Sequence, residues 1–476
     1  MTKEFEAITN LVPLPGLWRA KALLETRWLG FVTLYALYFA ILLSLVNAAN
    51  QQQLLLKEEA SAGYVGPVFL SFRLQHHIFA TNFYSYLIYG LGHHLYGGLF
   101  GVRLTKITIM ALLPGSLYLY LRDRFKFRQL EALVSAMAVV LLPGVLCLSW
   151  IATEMAEESA FGFLALWLTL NDRPWAIIGS TCLAAIAAGC YGSGLAYLLV
   201  IVAIQTLRLR TPSLRLPALA GMAVAGCTLF IPLIWWTNAQ TLWIGGGGSP
   251  NPGGALTRLS ATSRELFVQT ASYYMFANGR PALATPLIGA LALAGFVWAA
   301  IHYKRAAWQL FGVALASLSL LALAGNVQGV RRAVPLVICL GLFAVLLIHS
   351  LLESKRAASR AIALILFGMW LVPSAFQYNA LRNELLSGQL VLPHDFEFTV
   401  KIGGTMARTI AAFVDRSLPL PPDLQGYEPD RTLSILFSLS QPHPIVSREE
   451  LIAIWDRHGW YIRSHTPRLA WLRRRW

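Results

Sequence analysis

The sequence predicts an all-α polytopic membrane protein with about eleven transmembrane helices, and three observations carry that reading. Of 476 residues, 56% are hydrophobic and only 13% are charged, whereas soluble domains carry roughly 25% charged residues; a soluble multidomain enzyme is excluded. Uncharged or nearly uncharged runs near bilayer-spanning length recur along most of the chain. The breaks between those runs alternate between strongly basic and poorly basic, the pattern by which membrane proteins fix their orientation. Lys and Arg total 38 against 23 Asp and Glu, a net charge of +15. In so apolar a chain that excess anchors loops on the cytoplasmic side, and no nucleic-acid partner is expected.

The first run, Leu29 to Val46, follows Arg19, Lys21 and Arg27. It is longer than the apolar core of a signal peptide and reads as an uncleaved helix entering from the cytoplasm. Further runs occupy 99–120, 131–150, 157–170, 176–190, 193–206, 216–236, 283–301, 308–325, 333–352 and 361–377. The runs at 157–170 and 176–190 are short and predict tilted, kinked or re-entrant helices. Breaks at Arg122 to Arg128, Arg208 to Arg215, Lys304 and Arg305, and Lys355 to Arg360 are basic and read as inside loops. The outside loops are then 49–98, the acidic turn Glu154 to Glu158, the Gly/Pro-rich stretch Gly245 to Gly254, and the turn holding Arg331 and Arg332. Residues 1–377 form the membrane domain. The Pro-rich segment 378–476 reads as a small extracytoplasmic soluble region. All five cysteines lie in apolar runs without a C-x-x-C pair, so neither a disulfide framework nor a zinc site is indicated.

The first outside loop opens with Lys57, Glu58 and Glu59, then continues into an aromatic, weakly amphipathic stretch, Phe79 to Tyr96, that reads as a helix lying along the membrane surface. Neighbouring residues on a helix diverge by roughly 100°, so one of Glu58 and Glu59 faces a cleft and the other supports it. A carboxylate so placed suits general-base removal of a proton from an acceptor hydroxyl, against the plainer reading of a solvated charge pair. A second acidic cluster, Glu154, Glu157 and Glu158, stands on the same face before another apolar run. Carboxylates at bilayer depth are costly and face a water-filled cavity or a cation; the alternative for Glu157 and Glu158 is simple complementation of a helix N-terminus.

In order along the chain come the acidic pair Glu58 and Glu59, the aromatic helix, Leu99-Phe100-Gly101-Val102-Arg103-Leu104, Leu142-Pro143-Gly144 through Glu158, Ala187-Ala188-Gly189 to Gly194-Leu195, and Arg331-Arg332-Ala333-Val334-Pro335. This order resembles the GT-C class of integral membrane glycosyltransferases, in particular the lipid-linked-sugar enzymes related to aminoarabinose transferase and the protein O-mannosyltransferases. The chain departs from them in having Glu58 where the family usually has Asp, and Ala80-Thr81-Asn82-Phe83 where a His-Pro-Pro-Leu-like segment is usual.

The resemblance implies a polyprenyl-phosphate-linked sugar as donor, an inverting reaction on the outer face, and Glu58 or Glu59 as base. A glycan, lipid or protein is the acceptor. A phosphate leaving group calls for fixed cations. Arg331 and Arg332 are the first choice and Arg103 and Lys57 the second, with headgroup snorkelling as the plainer reading. Tyr273 and Tyr274 follow the glycine-rich stretch, itself a candidate lid, and could stack on the sugar or form an interfacial belt. Histidines 76, 77, 93 and 94 come as doublets without an H-E-x-x-H pattern, so no metal ligands are assigned. No cofactor is implied, and whether a divalent metal assists is left open. Membrane lipids are the other partners, and the bacterial inner membrane, with a periplasmic site, is the expected location. The competing functions are a flippase or transporter of lipid-linked saccharides, which calls for midplane charges, and a non-catalytic scaffold of the same fold.

Overall fold

A computed structural model describes residues 27–51, 83–96, 98–153, 155–236, 254–267, 284–323, 333–387, 434–438, 460–465 and 469–474. In chain order the helices are α1 (Arg27–Gln51), α2 (Phe83–Tyr96), α3 (Gly98–Met110), α4 (Leu112–Phe125), α5 (Gln129–Val140), α6 (Pro143–Trp150), α7 (Glu157–Leu168) and α8 (Pro174–Cys190). A 3-10 turn at Gly192–Gly194 leads to α9 (Leu195–Arg208), followed by α10 (Pro212–Trp236), α11 (Ala255–Phe267), α12 (Pro286–His302), α13 (Lys304–Leu323), α14 (Val334–Glu353) and α15 (Ala357–Ser387).

The apolar runs fall on helices, most of them one to a run, with 99–120 shared by α3 and α4 and 131–150 by α5 and α6. The first is longer than its uncharged core, because nothing breaks the helix between Arg27 and Gln51. Leu34, Tyr38, Leu42 and Leu45 bury one stripe of α1, while Val32 and Leu37 stay exposed on the other, the one-sided pattern of a helix at the edge of a bundle. By contrast α14 is buried all round, from Val334 through His349. It runs through the middle of the bundle, packing on α12, α13, α15, α5 and α6. At its crossing with α12 a Cβ on Gly295 would come 2.0 Å from the Phe343 carbonyl oxygen, so only glycine lets the two backbones meet there.

Six helical stretches among the described residues are long and apolar enough to cross a bilayer: Arg27–Gln51, Phe100–Phe125, Pro212–Phe230, Ala306–Leu323, Val334–Glu353 and Ala357–Ser387. Counting the bent pair α5 and α6 as one span gives up to seven, and α8, the 3-10 turn with α9, and α12 are shorter apolar helices. The run at 131–150 is therefore not one straight helix: α5 and α6 meet at 74°. Pro143 is the cause, since it lacks an N–H and restarts the helix at its first turn. The break leaves the Val140 carbonyl to accept from the Tyr38 hydroxyl at 3.2 Å, and the same hydroxyl reaches Ser149 Oγ at 2.9 Å.

The chain runs back and forth between two ends that differ in chemistry. At one end Arg27 pairs with Asp123, Arg208 with Asp172 and Arg128 with Glu353, and Arg124 Nε donates to the Ala306 carbonyl. Connections at this basic end are short: 126–128, 169–173, 209–211, 303 and 354–356. The opposite end carries the turn 151–156 and the 3-10 turn. It is also where α1 and α13 finish and where α12 and α14 begin. Separately, the C-terminal segment holds a three-stranded antiparallel sheet, β1 (Ser434–Ser438), β2 (Trp460–His465) and β3 (Leu469–Arg474), in the order β1-β3-β2. Ser434 pairs with Arg473 and Trp460 with Arg474, with a register shift between Ile462 and Ser464.

Candidate active site

The end opposite the basic turns buries a cluster of charged side chains. Arg103 and Lys106 lie on the same face of α3, three residues apart, and both are fully buried. Facing them, the chain leaves α6 at Trp150 in an extended conformation at Ile151 and reaches Ala156 at φ +79°. A left-handed alanine is unusual and costs roughly 1–2 kcal/mol, yet here it turns the chain so that Glu157 and Glu158 open α7. The roughly 100° between successive helical residues then sends these two carboxylates to different partners.

Glu157 goes to Lys106, with Nζ 2.9 Å from Oε2 and neither side chain exposed. The contact is an ion pair by distance, and Oε2 has no aligned hydrogen bond. Glu157 Oε1 accepts from the Tyr89 hydroxyl of α2, which also reaches the Thr153 carbonyl. Lys106 donates to the Thr153 carbonyl at 3.0 Å and to the Met155 carbonyl. Two carbonyl oxygens and a carboxylate are the donor set of a hard cation, and the lysine ammonium sits among them. Glu158 Oε1 accepts from Ser193 Oγ at 2.8 Å, while its Oε2 is buried and carries no hydrogen bond among the described residues.

The scaffold around these groups is tight. Ser193 belongs to the 3-10 turn after α8, where a Cβ on Gly194 would stand 2.0 Å from the Ala187 carbonyl oxygen. Ser85 of α2 donates to the Cys190 carbonyl at 3.1 Å, tying α2 to the end of α8. The expected surface helix is thus set deeper than a surface position: Phe83, Ser85, Tyr86 and Tyr89 are buried against α3 and α8, and Leu91, Leu95 and Tyr96 are exposed. Arg103 donates to Asn50 Oδ1 at 2.5 Å and lies 5.9 Å from the Trp150 ring. Asn50 is in the last turn of α1, so the loop bearing the first acidic pair starts beside the cluster.

Of the residues singled out in the sequence, Arg103, Glu157 and Glu158 are brought together here. Lys57, Glu58, Glu59, Glu154, Tyr273, Tyr274, Arg331 and Arg332 lie outside the described residues, as do His76, His77 and the side chain of His93. The flanks of these segments are described. Arg332 immediately precedes the buried Ala333 at the start of α14, and the far end of α14 carries Glu353 on Arg128 at the basic end.

Lys106, Tyr89, Ser193 and Ser85 were not anticipated. Lys106 carried a signal, being an ionisable residue inside an apolar run, which marks a functional position by default. Among the described residues, Glu131, His349 and Glu353 are the grouping whose ligand atoms approach within 4.8 Å. It belongs to the basic end, where the Arg128 guanidinium lies 3.5 Å from Glu353 and the Arg128 backbone N–H donates to Glu131.

No family model and no curated protein matches the chain. Among solved structures, the fold is similar to the crystal structure of the oligosaccharyltransferase of Archaeoglobus fulgidus in its apo form, with a TM-score of 0.51 and 12% sequence identity. The match covers 86% of this chain and 62% of that one, so the chain spans less than two thirds of that enzyme's length. At this identity the likeness is one of fold. That fold agrees with the polytopic helical architecture expected from the sequence motifs.

Proposed function

We propose that this chain is a GT-C glycosyltransferase that moves a sugar from a polyprenyl-phosphate donor to a glycan, lipid or protein acceptor at the end of the bundle opposite the basic turns. The observation that carries the reading is the buried meeting of Lys106, Glu157, Glu158 and Ser193 at the end of the bundle where α1 stops. Buried charges are expensive and a purely structural bundle has no need of three of them gathered in one place. Gln51, the last residue of α1, leaves Glu58 and Glu59 within about 30 Å of extended chain from that end, and one of them serves as general base. Arg331 and Arg332, at the start of α14, and Lys57 supply fixed positive charge to the phosphate leaving group. Arg103 acts from behind, bound to Asn50. Tyr273 and Tyr274 stack on the sugar, and Glu154 joins the acidic wall.

In this reading every apolar run crosses the bilayer, giving eleven crossings and an outside C-terminal region. The positive-inside rule then puts the site on the periplasmic side of a bacterial inner membrane. Glu58 or Glu59 removes the acceptor proton as the new glycosidic bond forms on the face opposite the departing lipid phosphate, which keeps the bonding electrons of the broken C–O bond. At Glu157 the neighbouring oxygens are gathered on Lys106, so this carboxylate is held by an ammonium group.

The test is transfer by the full chain in lipid, offered a panel of polyprenyl-phosphate sugars, with Glu58→Gln and Glu59→Gln compared. Loss of transfer in one variant, with donor binding and folding kept, identifies the base. If wild type and both variants bind donor equally and transfer equally, the general-base reading fails; donor binding without any transfer favours a scaffold.

A further inference from the structure

A second polar site lies at the basic end, independent of the proposed transferase chemistry. Between α1, α4, α7 and α8 there is a cavity of about 450 Å³ walled by Arg27, Asp123, Lys126, Asp172 and Arg173 with Trp28, Trp167 and Trp175. A neighbouring cavity of about 440 Å³ shares Asp123, Lys126 and Asp172. Both volumes are in the range of small-ligand sites.

The charges divide into a fixed set and a free set. Arg27 is committed: its guanidinium is 3.3 Å from Asp123 and lies 5.7 Å and 5.9 Å from the rings of Trp28 and Trp167. Trp167 Nε1 donates to the same Asp123 oxygen at 2.8 Å. Asp172 is taken by Arg208 at 2.6 Å, and that Arg208 nitrogen also donates to the Thr169 carbonyl at 2.8 Å. Lys126 and Arg173 are exposed, and among the described residues neither side chain has a partner. With both aspartates neutralised, the cavity presents two uncompensated positive charges.

Its rim is apolar and faces outward from the bundle. Trp28 is 49% and Trp175 56% exposed, with Leu29 and Val32 exposed next to Trp28 along α1. Exposed tryptophans at a helix start mark the level of the lipid headgroups. A phosphate between two cations, with its chains leaving along tryptophan and leucine, is the chemistry of an anionic phospholipid. Basic pockets between helices at the basic side of membrane proteins take such headgroups.

We propose that Lys126 and Arg173 bind the phosphate of an anionic phospholipid in this cavity, with Trp28 and Trp175 flanking its acyl chains. The experiment uses the full chain in a neutral detergent, titrated separately with phosphatidylglycerol, phosphatidylcholine and inorganic phosphate, with bound species counted by native mass spectrometry. At about 1 kcal/mol per cation, Lys126→Gln with Arg173→Gln weakens phosphatidylglycerol binding about 30-fold, and Arg173→Gln alone about fivefold. Lys355→Gln with Arg356→Gln removes the same charge from exposed positions outside the cavity and leaves binding unchanged. Equal binding of phosphatidylglycerol and phosphatidylcholine by wild type overturns the proposal. So does equal weakening in both double variants, or binding of inorganic phosphate through Lys126 and Arg173 without binding of the lipid.

Discussion

Lys106 holds Glu157 across the interior of the bundle, Nζ 2.9 Å from Oε2, with both side chains fully buried. Each charge is tolerable there only because the other is present, since desolvating one alone costs several kcal/mol. Lys106→Met therefore lowers stability by about 3–5 kcal/mol, measured by thermal unfolding in detergent. Lys106→Met combined with Glu157→Leu regains most of that loss while sugar transfer stays absent. A double variant that transfers normally would reduce the pair to packing.

Ser193 Oγ donates a hydrogen bond to the buried Glu158 carboxylate. Ser193→Ala leaves a buried carboxylate with one partner fewer, costing about 1–3 kcal/mol. The expected result is a lower melting temperature with a matching fall in transfer. Retained transfer at the lowered melting temperature would separate Glu158 from catalysis.

Ala156 is left-handed, at φ +79°. Glycine at this position removes a strain of about 1–2 kcal/mol and adds an unfolded-state entropy cost of about 0.5–1 kcal/mol. The strain is the larger quantity, so Ala156→Gly raises stability by about 0.5–1 kcal/mol. Denaturant or thermal unfolding reads the sign directly.

Gly194 sits against the end of α8. Gly194→Ala drives a methyl into a backbone carbonyl that cannot swing away, a cost at or above the usual 1–3 kcal/mol of overpacking. The displaced turn carries Ser193 with it, so transfer falls together with the yield of folded protein. A normal melting temperature in this variant would contradict the described geometry.

Helix positions were legible because apolar runs were long and many of their breaks were charged; most runs fall on one helix, while 99–120 and 131–150 are each shared by two. The 74° bend between α5 and α6 was written in Leu142-Pro143-Gly144, but a hydropathy window averages across it. Glu157 and Glu158 were legible as a pair at a helix start; that they part toward Lys106 and Ser193 was not, because the partners come from α3 and from the turn after α8. Lys106 was overlooked for a physical reason. Its run stays apolar on average despite Arg103 and Lys106, and averaging hides two charges sharing one face. The strands of the C-terminal region had no alternating pattern strong enough to stand out from its prolines.

Lys126 and Lys355 are both exposed, and both stand in the short connections at the basic end. In sealed vesicles of known orientation, a membrane-impermeant amine reagent therefore reaches these two lysines from one side only. Their labelling works as a compass for the whole protein, reading its orientation without knowledge of its substrate.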